Sequence, residues 1–281
     1  MSIIGINKER CSNCKLCTQN CGSGCFSTKR NGDVEFNNKL DTCSMCGHCV
    51  AICPEDAILL KDLDDVDTYA GIDAPETIIG YVKMHQFLRA KRSIRHYKSK
   101  KVPKETIQKV FEAMRYAPSA SNARLWRYLI ISDPEKIKII SNKVIKAQYQ
   151  YLGFQSSDHA ISYFKSMDFD PIFFRAPHVI ILYFKIMHYF DVNLKDNTML
   201  GIWGDDTGTA LTYGMLAAQS LGLGTCWIGN LQIAIDTNHD ILGILGIKGH
   251  VFGTFTMGFP AVKFRRAPPR SRLIIKGLEE L

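Results

Sequence analysis

CSNCKLCTQNC, residues 11–21, recurs as CSMCGHCVAIC, residues 43–53, so Cys11, Cys14, Cys17 and Cys21 share one spacing with Cys43, Cys46, Cys49 and Cys53, the last followed by Pro54. Three thiolates with two residues between neighbours can wrap one iron–sulfur cubane, while the fourth, after three more residues, points at the other cluster. The spacing therefore predicts two [4Fe–4S] clusters. The first takes Cys11, Cys14, Cys17 and Cys53; the second takes Cys43, Cys46, Cys49 and Cys21. Structural zinc usually takes paired C-x-x-C units with a spacer, which fits the triple run less well. A disulfide framework needs an oxidising compartment, and the opening MSIIGINKER has no apolar stretch of signal-peptide length.

This paired run resembles bacterial two-cluster ferredoxins over roughly the first 60 residues, the whole four-cysteine pattern occurring twice in order. One departure stands out. Gly22 follows Cys21 where ferredoxins usually carry proline, and Cys25 in CGSGC competes with Cys21 as the fourth ligand of cluster two.

At 281 residues the chain is too long for a ferredoxin alone and predicts a small module plus a domain of about 200 residues. No run of 18 apolar residues occurs, the most apolar stretch being Val179 to Phe184, so the expectation is a soluble, cytoplasmic protein without a membrane span. The formal net charge of +8 invites a nucleic-acid reading. Two oxidised clusters at about −2 each and a flavin phosphate at about −2 leave roughly +2, so much of the basicity compensates cofactors.

The sequence divides into a two-cluster module at 1–62, a linker and start of a helix at 63–84, and a second domain at 85–281. An apolar strand is expected from Ala57 to Leu60. The acidic stretch from Asp62 to Glu76 reads as a solvated linker. Pro75 and Glu76 suit the first turn of a helix carrying Ile78, Ile79, Val82, His85 and Leu88 on one face, up to Arg89. Further expectations are a helix from Pro103 to about Tyr116 with Ile107, Val110, Phe111 and Met114 buried, and a buried strand from Tyr128 to Ser132. Asp133 and Pro134 read as N-cap and first residue of a long helix. Pro177 to Lys185 reads as a strand, Asp205 to Leu221 as a helix, and Gly253 to Gly258 as a β segment. Helices and strands that do not alternate regularly indicate an α+β fold.

Four segments of the second domain suit a flat, phosphorylated cofactor. Lys91, Arg92, Ser93 and Arg95 combine cations with a hydroxyl, the chemistry of a phosphate site, although alone they read as a solvated basic face. Ala117 to Asn122 is a loop dense in small hydrogen-bonding residues. In Gly222 to Gly229 the glycines permit close approach of backbone to a ring, but their spacing and position after a helix are wrong for a dinucleotide fingerprint. Arg270 and Arg272 lie one residue apart near the C-terminus.

In this order the pieces resemble the FMN-dependent nitroreductase family, in the form preceded by a two-cluster ferredoxin module, over about residues 85 to 281. The resemblance implies that Lys91, Arg92, Ser93 and Arg95 meet the FMN phosphate and ribityl chain, and that Arg270 and Arg272 meet the same phosphate. It implies that Ser119 and Asn122 bond near the ring and ribityl oxygens, and that Cys226, Trp227, Ile228 and Gly229 flank the ring and its N5. Arg124 and Leu125 stand where the family commonly has glutamine and proline, so Arg124 is a departure at the flavin edge. The resemblance also implies a homodimer with flavin at the interface.

The function expected is an FMN- and iron–sulfur-dependent oxidoreductase. Electrons pass from ferredoxin or NAD(P)H through two [4Fe–4S] clusters to FMN, and on to a nitroaromatic, quinone or similar small acceptor. The flavin supplies the chemistry, so no protein acid or base is nominated, and His178, His188, His239 and His250 read as structural. Rival readings are a flavin reductase or reductive dehalogenase on the same fold, an electron-transfer or redox-sensing module, and nucleic-acid binding. The last is disfavoured because its basic residues coincide with the phosphate contacts.

Overall fold

The computed structural model describes residues 2–61, 66–185, 197–238 and 240–277. Asp62, Asp64 and Asp65 of the acidic stretch, and His188 and His239, lie outside the described residues.

The N-terminal module is built twice. Its elements are β1 (Ser2–Ile6), α1 (Leu16–Asn20), β2 (Phe26–Thr28), β3 (Val34–Phe36), α2 (His48–Ala51) and β4 (Ile58–Lys61). A shift of 32 residues carries Cys11 onto Cys43, α1 onto α2, and β2 onto β4. The backbone follows the same shift: Asn13 and Met45, Lys15 and Gly47, and Gly24 and Asp56 all adopt positive φ. The strands pair across the repeat, β1 with β4 and β2 with β3, both antiparallel. Between them lies a small core of Ile3, Phe26, Val34 and Ile58 together with Cys17, Cys25 and Cys49.

After the linker, the expected single helix from Pro75 is interrupted. A 3₁₀ turn covers Pro75–Thr77, Gly80 is extended at ψ 156, and α3 runs Tyr81–Ala90. Ile78, Ile79, Val82 and Leu88 are exposed, so the apolar stripe is largely uncovered.

The second domain has α4 (Lys104–Arg115), β5 (Trp126–Ile131), α5 (Pro134–Gln148), α6 (Ser157–Ser166) and β6 (His178–Lys185). It continues with α7 (Asn197–Ser220), β7 (Gly224–Trp227), α8 (Asn230–Thr237), α9 (Asp240–Leu245) and β8 (Gly249–Gly258). The four strands form an antiparallel sheet in the order β5-β6-β8-β7. Helices cover both faces, which explains the uninterrupted apolar run of β6. Val179 and Ile181 face the core shared with α5, α8 and α9, whereas Ile180, Leu182 and Phe184 face the core shared with α4 and α7. The result is the α+β fold expected from the element pattern. Asp133 caps α5, its carboxylate accepting from Glu135 N at 3.0 Å, with Pro134 at the first helical position. Val110 and Met114 of α4 are buried, while Ile107 and Phe111 pack at the core margin.

Helix α7 begins at Asn197, well before the expected Asp205. Gly201, Gly204 and Gly208 lower intrinsic helix propensity, so the sequence understates a helix sustained by packing. It ends as expected, Gly222 at φ 73 allowing Leu223 N to reach Ala218 O at 2.8 Å.

Gly224 serves the packing of a distant segment. A Cβ there would lie 2.5 Å from Ile94 Cγ1. Its absence lets residues 93–98 lie along β7 and the end of β8. Ile94 N donates to Thr225 O at 2.9 Å and Lys98 N to Phe259 O at 2.8 Å. Gly224→Ala overpacks this contact and should cost about 1–3 kcal/mol. A thermal melt should show it as a lowered midpoint, with Gly243→Ala as control, since a Cβ at Gly243 meets nothing within 4 Å.

Candidate functional site

In the N-terminal module Cys11, Cys14, Cys17 and Cys53 line one cavity, closed underneath by Ile6 and Val34. These four are the set predicted for cluster one. The second set is also gathered. Burial first, and then the neighbouring Cys46, Cys43 and Cys21, push the Cys49 thiol up to about 12. Thiols packed this closely resist losing their protons together, a cost that bound iron removes by supplying positive charge. Among the described residues no three His, Cys, Asp or Glu side chains converge on a single-ion site.

The repeat separates Cys21 from Cys25. Cys25 N donates to Cys21 Sγ at 3.2 Å, and at the equivalent place Ala57 N donates to Cys53 Sγ at 3.3 Å. Cys21 therefore corresponds to Cys53, and Cys25 to Ala57. Both Cys25 and Ala57 are buried, at 2% and 1% exposure. The Cys25 thiol donates towards Asn38 Oδ1 and Ser23 O and contacts Thr42 Oγ1, while burial raises it above the ordinary thiol range. Such peptide N–H groups on ligand sulfurs stabilise the anionic cluster and tune its potential.

In the second domain two of the predicted segments, 91–95 and 222–229, meet, and the chain after Phe259 joins them. Ser93 bridges Thr225 in parallel, Tyr97 bridges Pro260, and Ala261 N donates to His96 O at 2.9 Å. Beside this seam is an open cleft of about 410 Å³, lined by Lys91, Arg92, Gly224, Thr225, Pro260 and Phe264 among others. That size falls in the range of small-molecule and cofactor sites. Half-buried Lys91 donates to Arg92 O at 2.7 Å, and its Nζ lies 3.5 Å from Thr225 O. Burial holds the Lys91 ammonium below the usual lysine range; the neighbouring Cys226 opposes that shift and Arg92 adds to it. Arg92 donates to Arg89 O, Lys91 O and Arg266 O, and it also borders a second cleft lined by Arg89, Arg265 and Arg266. Adjacent cations with no ion pair among the described residues, beside a buried Thr225 hydroxyl with no partner there, suit a phosphorylated ligand.

The remaining predicted residues do not line this cleft. Arg95 stacks over the Phe174 ring at 5.7 Å. Cys226 is buried with its thiol on Trp227 O, and Ile228 is buried with its N–H on Thr254 O. Trp227 is 41% exposed, and a Cβ at Gly208 would lie 3.7 Å from its ring. Gly229 caps α8. The Ser119 hydroxyl accepts from Arg124 N at 3.0 Å, and Arg124 Nε donates to Asn122 O at 3.3 Å. The Asn122 amide points to the iron–sulfur module, donating to Cys46 O at 2.8 Å. Among the described residues Arg270 donates only to its neighbour Pro269 O, and Arg272 hydrogen-bonds to no other segment. Sequence reasoning missed Thr225 and Phe264 at the cleft, Arg266 at the second cleft, and Asp206, which holds the 119–122 loop through Ala120 N at 3.0 Å.

Residues 88–259 match the Nitroreductase family profile and residues 10–58 a 4Fe-4S dicluster domain profile. The chain belongs to the nitroreductase family. Among relatives, a Methanothermobacter thermautotrophicus protein provisionally named NADH dehydrogenase/NAD(P)H nitroreductase is 28% identical over 176 residues, 62% of this chain and 75% of that protein. Iodotyrosine deiodinase of Haliscomenobacter hydrossis is 23% identical over 155 residues, 53% of this chain and 68% of that protein. A nitroreductase with bound FMN from Desulfitobacterium hafniense shares the fold at a TM-score of 0.53 and 19% identity, covering 69% of this chain and 98% of that one. The present chain is an oxidoreductase of that family with an N-terminal iron–sulfur module. Among the described residues no helix is long and apolar enough to cross a membrane.

The repeat geometry separates the two candidate ligands. Cys25→Ala should retain both clusters, whereas Cys21→Ser should lose the iron of one, read by iron quantification and low-temperature EPR of anaerobically purified protein.

Proposed function

We propose that the chain is an FMN- and iron–sulfur-dependent oxidoreductase that takes single electrons from a low-potential donor and passes them on in pairs. What supports this most directly is the presence, in one chain, of a cavity ringed by Cys11, Cys14, Cys17 and Cys53 and a cationic cleft bounded by Lys91, Arg92 and Thr225. Cys21, Cys43, Cys46 and Cys49 hold the second cluster. Lys91 and Arg92 take the FMN phosphate, with Ser93 and Arg95 on the same segment. The backbone from Cys226 to Gly229 lies along the ring. When bound, FMN supplies the exchange between one-electron and two-electron chemistry. The chain's residues position it, neutralise its phosphate and leave space for a small acceptor.

The donor is a ferredoxin or NAD(P)H, and the acceptor a nitroaromatic, quinone or similar molecule. A homodimer fits the exposed apolar groups of α3 (Tyr81, Val82, Leu88), the exposed Trp227 and the C-terminal Leu273 and Ile274. Arg270 and Arg272 meet the same FMN phosphate from the C-terminal side. A second reading, reductive dehalogenation, is favoured by the similarity to iodotyrosine deiodinase.

Anaerobically purified protein should carry about eight iron and about one FMN per chain. Zinc without flavin contradicts the proposal. With a reduced ferredoxin as donor, nitroaromatic or quinone reduction should exceed dehalogenation of an iodophenol; the reverse order selects the second reading. Alanine at Cys11 and Cys43 together should abolish ferredoxin-driven turnover.

A further inference from the structure

The repeat of the iron–sulfur module is nearly symmetric in backbone, yet its two cluster loops have different surroundings. At the position after the second cysteine of each run stand Lys15 and Gly47, both left-handed, with φ 66 and 80. Cys14 and Lys15 are exposed, whereas Cys46 and Gly47 are partly covered. The cover is the 119–124 loop of the flavin domain. Its Asn122 amide donates to Cys46 O at 2.8 Å, across 76 residues of sequence. A Cβ on Gly47 would already be in van der Waals contact with Asn122 Nδ2, at 3.8 Å, so a longer side chain there crowds the amide.

The loop is held for this contact. Ser121, Asn122 and Arg124 all have positive φ, uncommon for residues with side chains. Asp206 of α7 accepts from Ala120 N, Ser119 Oγ accepts from Arg124 N, and Arg124 Nε donates to Asn122 O. Backbone strain of this kind persists only where its surroundings impose it.

From this juxtaposition we infer that the relay has a fixed direction. The cluster of Cys21, Cys43, Cys46 and Cys49 is the exit to the flavin domain, docked through Cys46 O and Asn122. The cluster of Cys11, Cys14, Cys17 and Cys53 is the intake, presenting exposed Cys14 and Lys15 to an acidic one-electron donor protein. Asn122 is thus a positioning residue between the domains. The inference rests on the relay reading of the proposed function. Two donor molecules are each oxidised by one electron. Those two electrons pass through the clusters, which return to their oxidised state, and with two protons from water they reduce FMN to FMNH2.

The experiment mixes anaerobic holoprotein with a reduced, acidic [2Fe–2S] ferredoxin in a stopped-flow spectrometer. It reads a concentration-dependent phase, cluster reduction, and a concentration-independent phase, flavin bleaching. Asn122→Ala and Gly47→Lys should slow the second phase about three- to tenfold, the factor one hydrogen bond carries, and leave the first phase unchanged. Lys15→Glu should slow the first phase, most at low salt, and leave the second. Low-temperature EPR of Asn122→Ala should alter the signal of one cluster alone, with iron and FMN content retained. An unchanged second phase in Asn122→Ala with full iron content overturns the inference. So does loss of FMN from that variant, which would make Asn122 a flavin ligand. A wild-type protein whose reduced clusters never bleach the flavin overturns the relay reading itself.

Discussion

The contact between Gly224 and Ile94 organises the flavin domain. The segment at 93–98 reaches the β7 edge only because position 224 has no Cβ, and the hydrogen bond from Ile94 N to Thr225 O then fixes its register. Three features follow from that register. Lys91 and Arg92 stand at the lip of the cleft, the tail after Phe259 is led past them through Tyr97 and Pro260, and the Arg266 carbonyl receives the Arg92 guanidinium. The basic segment, which in isolation reads as a solvated face, becomes one wall of a binding cleft. Its charge is partly buried, and burial is what makes an anionic ligand favourable there.

The iron–sulfur module has a different logic. Its core is small and contains cysteines alongside Ile3, Phe26, Val34 and Ile58. So little apolar burial is a weak source of stability for a module of this size, and iron ligation supplies the remainder. Pairing the strands across the repeat brings the fourth cysteine of each run to the opposite cluster. Symmetry of the backbone accounts for holding two clusters; the difference between Lys15 and Gly47 gives them different neighbours.

Much of this was legible in the sequence, because the chemistry that dictates it is local. Thiolate spacing anticipates that Cys53 joins Cys11, Cys14 and Cys17 around one cavity, Asp133 and Pro134 mark the start of α5, and the apolar run at 179–184 marks a strand buried on both faces. What was not legible depends on distant partners. Nothing near Gly224 indicates that its glycine makes room for Ile94, and nothing near Asn122 indicates a bond to Cys46. The early start of α7 was hidden by glycines that packing overrides, and the break before α3 by an apolar periodicity running through Gly80. Aligning the two repeats makes Cys21 the counterpart of Cys53 and Cys25 the counterpart of Ala57. Lys15 against Gly47 was readable from the same alignment, though its meaning needed the neighbouring loop.

The central claim is that clusters and flavin form one electron path within one chain. Its most direct measurement is the rate of flavin bleaching after the clusters of anaerobic holoprotein are reduced, followed as the protein concentration is raised. The account predicts a rate independent of concentration. A rate proportional to concentration, or a flavin that stays oxidised beside reduced clusters, contradicts it.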